Sequence, residues 1–133
     1  MTKMTDSSFR DVEFINCKLN GIDFSQCNLF LFSISLKKCK LMYTIFTGMQ
    51  LENMQFEDCR IKGADFSNAQ LSGSSFLDCD LTGTIFNRTI LDKVDFNSAV
   101  NYSTDPELNS LKKTKFSQMG LAGLLGKYDI IIE

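Results

Sequence analysis

The chain has no histidine, no tryptophan and a single proline among its 133 residues. The absence of histidine removes imidazole general acid–base chemistry, histidine metal ligands and nucleophile–histidine pairs together. Neither sign of charge is in excess, since 14 Lys and Arg face 16 Asp and Glu for a net charge of −2. That balance describes neither a polybasic nucleic-acid binder nor a strongly acidic tail, and no direct nucleic-acid binding is expected. No apolar run approaches membrane-spanning length, and polar Met1–Ser8 lacks a signal-peptide core, so no membrane partner is expected. Five cysteines, an odd number without a signal peptide, point to free thiols in a reducing cytoplasm.

What the chain has instead is a period of five. Every fifth residue from Leu41 is Leu41, Phe46, Leu51, Phe56, Ile61, Phe66, Leu71, Phe76, Leu81, Phe86, Leu91 and Phe96. Two residues before each stands something slimmer: Cys39, Thr44, Met49, Met54, Cys59, Ala64, Ala69, Ser74, Cys79, Thr84, Thr89 and Val94. Such a period fits neither a helix face nor a strand face, and it marks a repeat architecture. An earlier block carries it too, in Phe9, Phe14, Leu19, Phe24 and Leu29, but out of phase. The step from Leu29 to Leu36 is seven residues, which places a two-residue slip near 30–33.

Units such as Ala64-Asp65-Phe66-Ser67-Asn68, Ala69-Gln70-Leu71-Ser72-Gly73 and Cys79-Asp80-Leu81-Thr82-Gly83 resemble the A(D/N)LXX units of the pentapeptide repeat family. The resemblance covers roughly residues 7–99. It implies an all-β solenoid, the right-handed quadrilateral β-helix in which four units make one square coil. The central Leu or Phe and the slim residue two before it would then point inward, and the others outward.

Coils stacked like strands at about 4.8 Å turn residues twenty apart into ladders. Absorbing the slip, these read Phe24, Phe46, Phe66, Phe86, facing Phe14, Leu36, Phe56, Phe76, Phe96. The other two are Leu19, Leu41, Ile61, Leu81 and Phe9, Leu29, Leu51, Leu71, Leu91. Gly63, Gly73 and Gly83 fall where a corner needs positive φ. The expected organisation is one domain of roughly four and a half coils. Within 1–133, residues 1–6 form a flexible N-terminus, 7–99 the β-helix, 100–116 an irregular last coil with a loop, and 117–133 a C-terminal helix/strand cap. Asp105-Pro106 suggests the start of a helical turn, Ser117 an N-cap, and Asp129–Glu133 a short terminal strand.

Three constellations compete for a function. Cys17, Cys39, Cys59 and Cys79 share one ladder, with Cys27 elsewhere, but no CxxC pair exists. Slim buried packing is the reading adopted, and no metal, cofactor or catalytic set is expected. Lys18, Lys40, Arg60 and Lys62 give a modestly basic face, while Glu13, Glu57, Asp58, Asp78 and Asp95 gather on another, diluted by Lys37 and Lys38. Exposed apolar residues are expected as an interaction patch at Phe30, Phe32, Met42, Tyr43 and Ile45, near Leu31 and Ile85. A second apolar set, Leu121, Leu124, Leu125, Tyr128, Ile130 and Ile132, is expected to cap the coil; cap alone and cap plus homodimer interface both stay open. The function expected is a non-enzymatic scaffold or protein-interaction module with an unidentified protein partner. The resemblance adds an alternative, a DNA mimic that binds and protects a type II topoisomerase. That role calls for a dense negative surface along the rod.

Overall fold

The computed structural model describes residues 13–26 and 34–133. Phe9, Cys27, Leu29, Phe30, Leu31, Phe32 and the expected flexible N-terminus lie outside the described residues.

One face of the coil is regular enough to form strands. β1 (Glu13–Ile15), β2 (Ser35–Lys37), β3 (Gln55–Glu57) and β4 (Ser75–Leu77) stack in that order as a parallel sheet. The other faces are held by single parallel bridges such as Lys40↔Arg60, Ile45↔Asp65 and Gln50↔Gln70. From Ser35 onward partners are twenty residues apart, as in Leu36↔Phe56 and Phe56↔Phe76. Phe14↔Leu36, Lys18↔Lys40 and Asp23↔Ile45 are twenty-two apart, so the two extra residues enter between Asp23 and Ser35.

The lumen is filled by the ladders. Phe24, Phe46 and Phe66 stack with ring centroids 4.8 Å apart at each step, and Phe56 and Phe76 repeat that spacing on the facing wall. Across the lumen the rings meet edge to face, Phe56 to Phe66 at 6.1 Å and Phe66 to Phe76 at 5.9 Å. Phe66 and Phe76 each touch four other rings in the two geometries that aromatic quadrupoles favour, worth about 0.5–1.5 kcal/mol per pair beyond area burial. Leu41, Leu51, Ile61, Leu71, Leu81 and Leu91 close the remaining sides and are fully buried.

The slim position also has a hydrogen-bonding role. Its hydroxyl or thiol donates to the carbonyl of the central residue one coil earlier: Ser74 to Leu51 (3.0 Å), Thr89 to Phe66 (2.9 Å), Cys59 to Leu36 (3.2 Å) and Cys39 to Phe14 (3.3 Å). Ser74 and Thr89 are buried here at little cost because the coil below supplies a carbonyl; Thr44 donates instead to Leu41 O of its own coil. Corners fall two residues after each central residue; Asn16 and Gly21 carry positive φ, as does every corner from Lys38 to Lys93, whereas Gln26 closes a 3₁₀ turn, Phe24–Gln26. Gly63 takes 68° freely, whereas Tyr43 on the same corner column holds 59°, a conformation costing an L-residue roughly 1–2 kcal/mol.

The regular coil stops at Ala99. Residue 101 should extend the Leu81 ladder, but it is Asn101, itself at φ 61°, and the chain turns there and sends Tyr102 inward. Tyr102 packs on Phe96 (5.1 Å) and Phe116 (5.8 Å), and Phe116 continues the Phe96 stack at 5.5 Å. The loop makes one turn, with the Asp105 carboxylate accepting from Glu107 N–H at 2.9 Å. Asn109 then re-enters in the slim role and donates to Phe86 O at 2.8 Å. Ser110 bridges Ile90 and Lys115 bridges Asp95, restoring the stack.

The end differs from expectation in two respects. Ser117 caps a helix through its hydroxyl oxygen, which accepts from Gly120 N–H, but Gln118–Leu124 is a 3₁₀ helix. Three residues per turn put Gly120 and Gly123 in line, with Gly126 following. This glycine edge lies on Tyr102 and Ser103: a Cβ on Gly123 would stand 2.5 Å from Tyr102 O, and one on Gly126 3.2 Å from Ser103 Oγ. The spacing of Leu121, Leu124, Leu125 and Tyr128 therefore makes no inward face. Second, residues 129–133 form no strand. Ile130, Ile131 and Ile132 are all exposed, and nothing pairs with them among the described residues. The lid over the lumen is Tyr102 beneath a glycine edge.

Candidate interaction surfaces

The patch expected around Phe30–Ile45 divides over a corner. Met42 lies on the face that carries Lys40, half-buried. Tyr43 occupies the corner itself, 62% exposed, its ring across the backbone of Gly63. Ile45 is half-buried on the next face, in the column Asp23, Ile45, Asp65, Ile85. Phe30 and Phe32 fall outside the described residues, so Met42 and Tyr43 are the two members placed side by side.

The C-terminal set lies outside the lumen of the solenoid. Leu124 is half-buried beside the crevice that Phe86 and Leu108 line, and Leu121, Leu125, Tyr128, Ile130 and Ile132 are exposed. The sequence reading omitted Met119, 94% exposed, and Ile131, 88% exposed. In the 3₁₀ helix the glycine edge faces the coil, and Met119 is on the side turned away from it. The segment is anchored by Thr104 N–H donating to Gly123 O at 2.8 Å and by Lys127, 2.8 Å from Glu107 and 3.6 Å from Asp105. Those partners hold the exposed Lys127 ammonium above its ordinary value, the hydrogen bond to Glu107 first.

Charge runs in short columns. Lys18, Lys40 and Arg60 are successive bridge partners, and the next two are Asp80 and Val100. Asp80 is held below the usual carboxylate value, chiefly by hydrogen bonds from Thr82 and Asn101, with the charge of Arg60 adding to them. On the strand face Glu57 meets Lys37 at 3.7 Å. Glu13 aligns with Ser35, and Asp95 lies between Ser75 and Lys115. The acidic residues thus alternate with neutral or basic ones along the axis, Asp58 and Asp78 on neighbouring corners excepted.

The cysteine ladder is wall rather than site. Cys39, Cys59 and Cys79 are buried, Cys17 is half-buried, and all four thiols are free. Burial pushes the Cys39 thiol above its ordinary value, and the Cys59 thiol alongside, together with burial, pushes Cys79 up. No group of three or more metal-ligating side chains gathers among the described residues. No helix among them is long and apolar enough to cross a membrane.

Parallel single-bridge coils of twenty residues, an aromatic lumen and a corner every five residues define a quadrilateral β-solenoid. The pattern described as "Pentapeptide repeat region" matches residues 7–85 and 50–124. The chain belongs to the pentapeptide repeat family, and its fold is the family's right-handed β-helix. Among solved structures it is similar to a pentapeptide repeat protein of the Arabidopsis thaliana thylakoid lumen, with 17% identity, 89% of this chain and 87% of that one covered, and a TM-score of 0.53. Rfr23 of the cyanobacterium Cyanothece 51142 gives 21% identity over 80% of this chain and 60% of its own, at a TM-score of 0.48. QnrB1, a plasmid-mediated fluoroquinolone resistance protein, gives 20% identity over 98% of this chain and 65% of its own, also at 0.48. The chain therefore spans less than two thirds of the length of these last two. No curated protein matches the sequence.

Proposed function

We propose that the chain is a non-enzymatic scaffold that works by binding protein, and that its C-terminal segment joins it to a second copy of itself. Pentapeptide repeat proteins are generally structural or interaction modules. The observation that carries the reading here is the orientation of the 3₁₀ helix. Glycines face the solenoid, while Met119, Leu121, Leu125 and the Tyr128–Ile132 run face solvent. A segment that served only as a lid would turn its leucines inward. Several large apolar side chains exposed on one short segment, which is anchored at Gly123 and Lys127, mark a contact surface. The filled lumen supports the same reading, since side chains occupy the space a cleft would need. Free thiols fit a reducing, cytoplasmic setting.

A topoisomerase-binding DNA mimic would need a continuous negative stripe, and the broken charge columns favour the scaffold instead. Photo-crosslinking tests the proposal, with a benzophenone amino acid at position 128 in the purified protein and one at position 90 as control. A covalent dimer from position 128 alone is expected. Monomer from both positions, at every concentration tried, would overturn the self-association reading.

A further inference from the structure

We propose that the face carrying Lys18, Lys40 and Arg60 binds a short acidic protein segment that also carries an apolar side chain. This rests on the reading of the chain as a protein-binding scaffold and names the chemistry of a partner other than itself.

Lys18, Lys40 and Arg60 are direct parallel partners on three successive coils, so their cations project from points about 4.8 Å apart. Like charges placed opposite one another in a sheet destabilise it. On the strand face the corresponding conflict is relieved, because Lys37 is stacked on Glu57 and paired with it at 3.7 Å. Here relief comes only at the end of the column, where Arg60 is followed by Asp80 and acts on its carboxylate through charge; none of Lys18, Lys40 and Arg60 makes a close ion pair with another described residue. Lys62, in the adjacent outward column, adds a fourth unpaired cation. The fold carries a cost on this face that a bound anion would remove.

The strip is also shaped. Lys38, Cys39, Lys40, Asp58 and Arg60 line a shallow depression at its centre. Met42, half-buried, and the exposed Tyr43 follow Lys40 along the same face as far as its corner. Cations in a row beside a thioether and an aromatic ring offer both halves of a recognition code: carboxylates for the strip, an aliphatic or aromatic residue for the Met42–Tyr43 edge.

Length decides between an acidic peptide and a nucleic acid. The positive column runs about 10 Å over three rungs and then changes sign at Asp80. Asp58 and Asp78 stand at the neighbouring corner. A phosphate backbone following the solenoid would leave the cations after one or two phosphates and meet carboxylates. Two or three Asp or Glu side chains of an extended segment, alternate residues lying about 6.7 Å apart on one side, fit the strip without overrunning it.

The test is fluorescence anisotropy with a labelled peptide of Asp and Glu carrying a central Phe-Leu pair. It is titrated with the intact protein, with Lys40→Glu/Arg60→Glu, and with Lys93→Glu/Lys113→Glu as a charge-matched control on another corner. Circular dichroism melts verify that each variant is folded. Binding to the intact protein and to the control is expected, weakening with added salt, with a loss of at least about tenfold in the strip variant. Absence of binding to the intact protein, or equal loss in both variants, would overturn the proposal. So would displacement of the peptide by a lower concentration of single-stranded oligonucleotide. Crosslinking at position 128 reads a different surface, so failure here leaves the self-association result standing on its own.

Discussion

Asp65 and Phe66 are chain neighbours with opposite surroundings, and the difference is the five-residue phase expressed at one residue. Phe66 is fully buried, stacked on Phe46 and Phe86 and edge-on to Phe56 and Phe76. Asp65 faces outward, and its carboxylate accepts from Ser67 N–H at 2.9 Å. Phe66→Ala should therefore cost about 3–5 kcal/mol, because stacked coils cannot collapse around the cavity. Asp65→Ala loses one part-buried turn hydrogen bond, about 1 kcal/mol. Chemical denaturation of the two variants checks the ratio, and equal losses would mean that the phase is misassigned. This phase was legible in the sequence because each rung repeats the same demand for a large apolar residue. The donor role of the slim position was less legible. Cys, Ser, Thr and Ala all look alike as small residues, and only the coil spacing reveals a carbonyl in reach of the first three.

At the scale of elements, the coil was legible and the C-terminal end was not. Leucines at positions 121, 124 and 125 suggest an α-helical face, but Gly120, Gly123 and Gly126 repeat at three, and the three-residue period is the one adopted. The signal was present in those glycines. It competed with a leucine pattern that would have been equally good in an α-helix. The three isoleucines near the end suggest a strand by composition, yet a strand needs a partner edge, and none is paired with them among the described residues. Tyr102 was missed because its position is off phase; the clue was Asn101 in the Leu81 ladder, where an apolar residue should stand. The geometry makes Gly123 the sensitive point of the end. Gly123→Ala would push a methyl against the Tyr102 carbonyl and ring, so the 3₁₀ helix should detach while the coils stay folded. Limited proteolysis should then cut the variant within residues 118–133 much faster than the parent protein, with the β-helix surviving as a stable fragment. Identical digestion would show that the contact does not hold the segment in place.

For the whole molecule, stability and function occupy different surfaces. Everything inside the coil is committed to packing: stacked rings, aliphatic rungs and donors bonded to the coil before. The surfaces proposed for a partner are outside, in the cation strip, the Met42–Tyr43 edge and the apolar end. The sequence showed the ladders and hence the division, but not which outer residues cluster. A corner every five residues separated Ile45 from Met42 and joined Met42 to Lys40. The central claim is that the outward apolar end is a contact surface between two copies, independent of the fold. It is tested most directly by light scattering on the intact protein and on Ile130→Asp/Ile132→Asp, with thermal melts of both. Two exposed residues are exchanged, so the coil melt of the variant should stay near that of the parent. The account predicts twice the chain mass for the parent and the single-chain mass for the variant. A parent that remains monomeric at all concentrations, or a variant that remains dimeric, would contradict it.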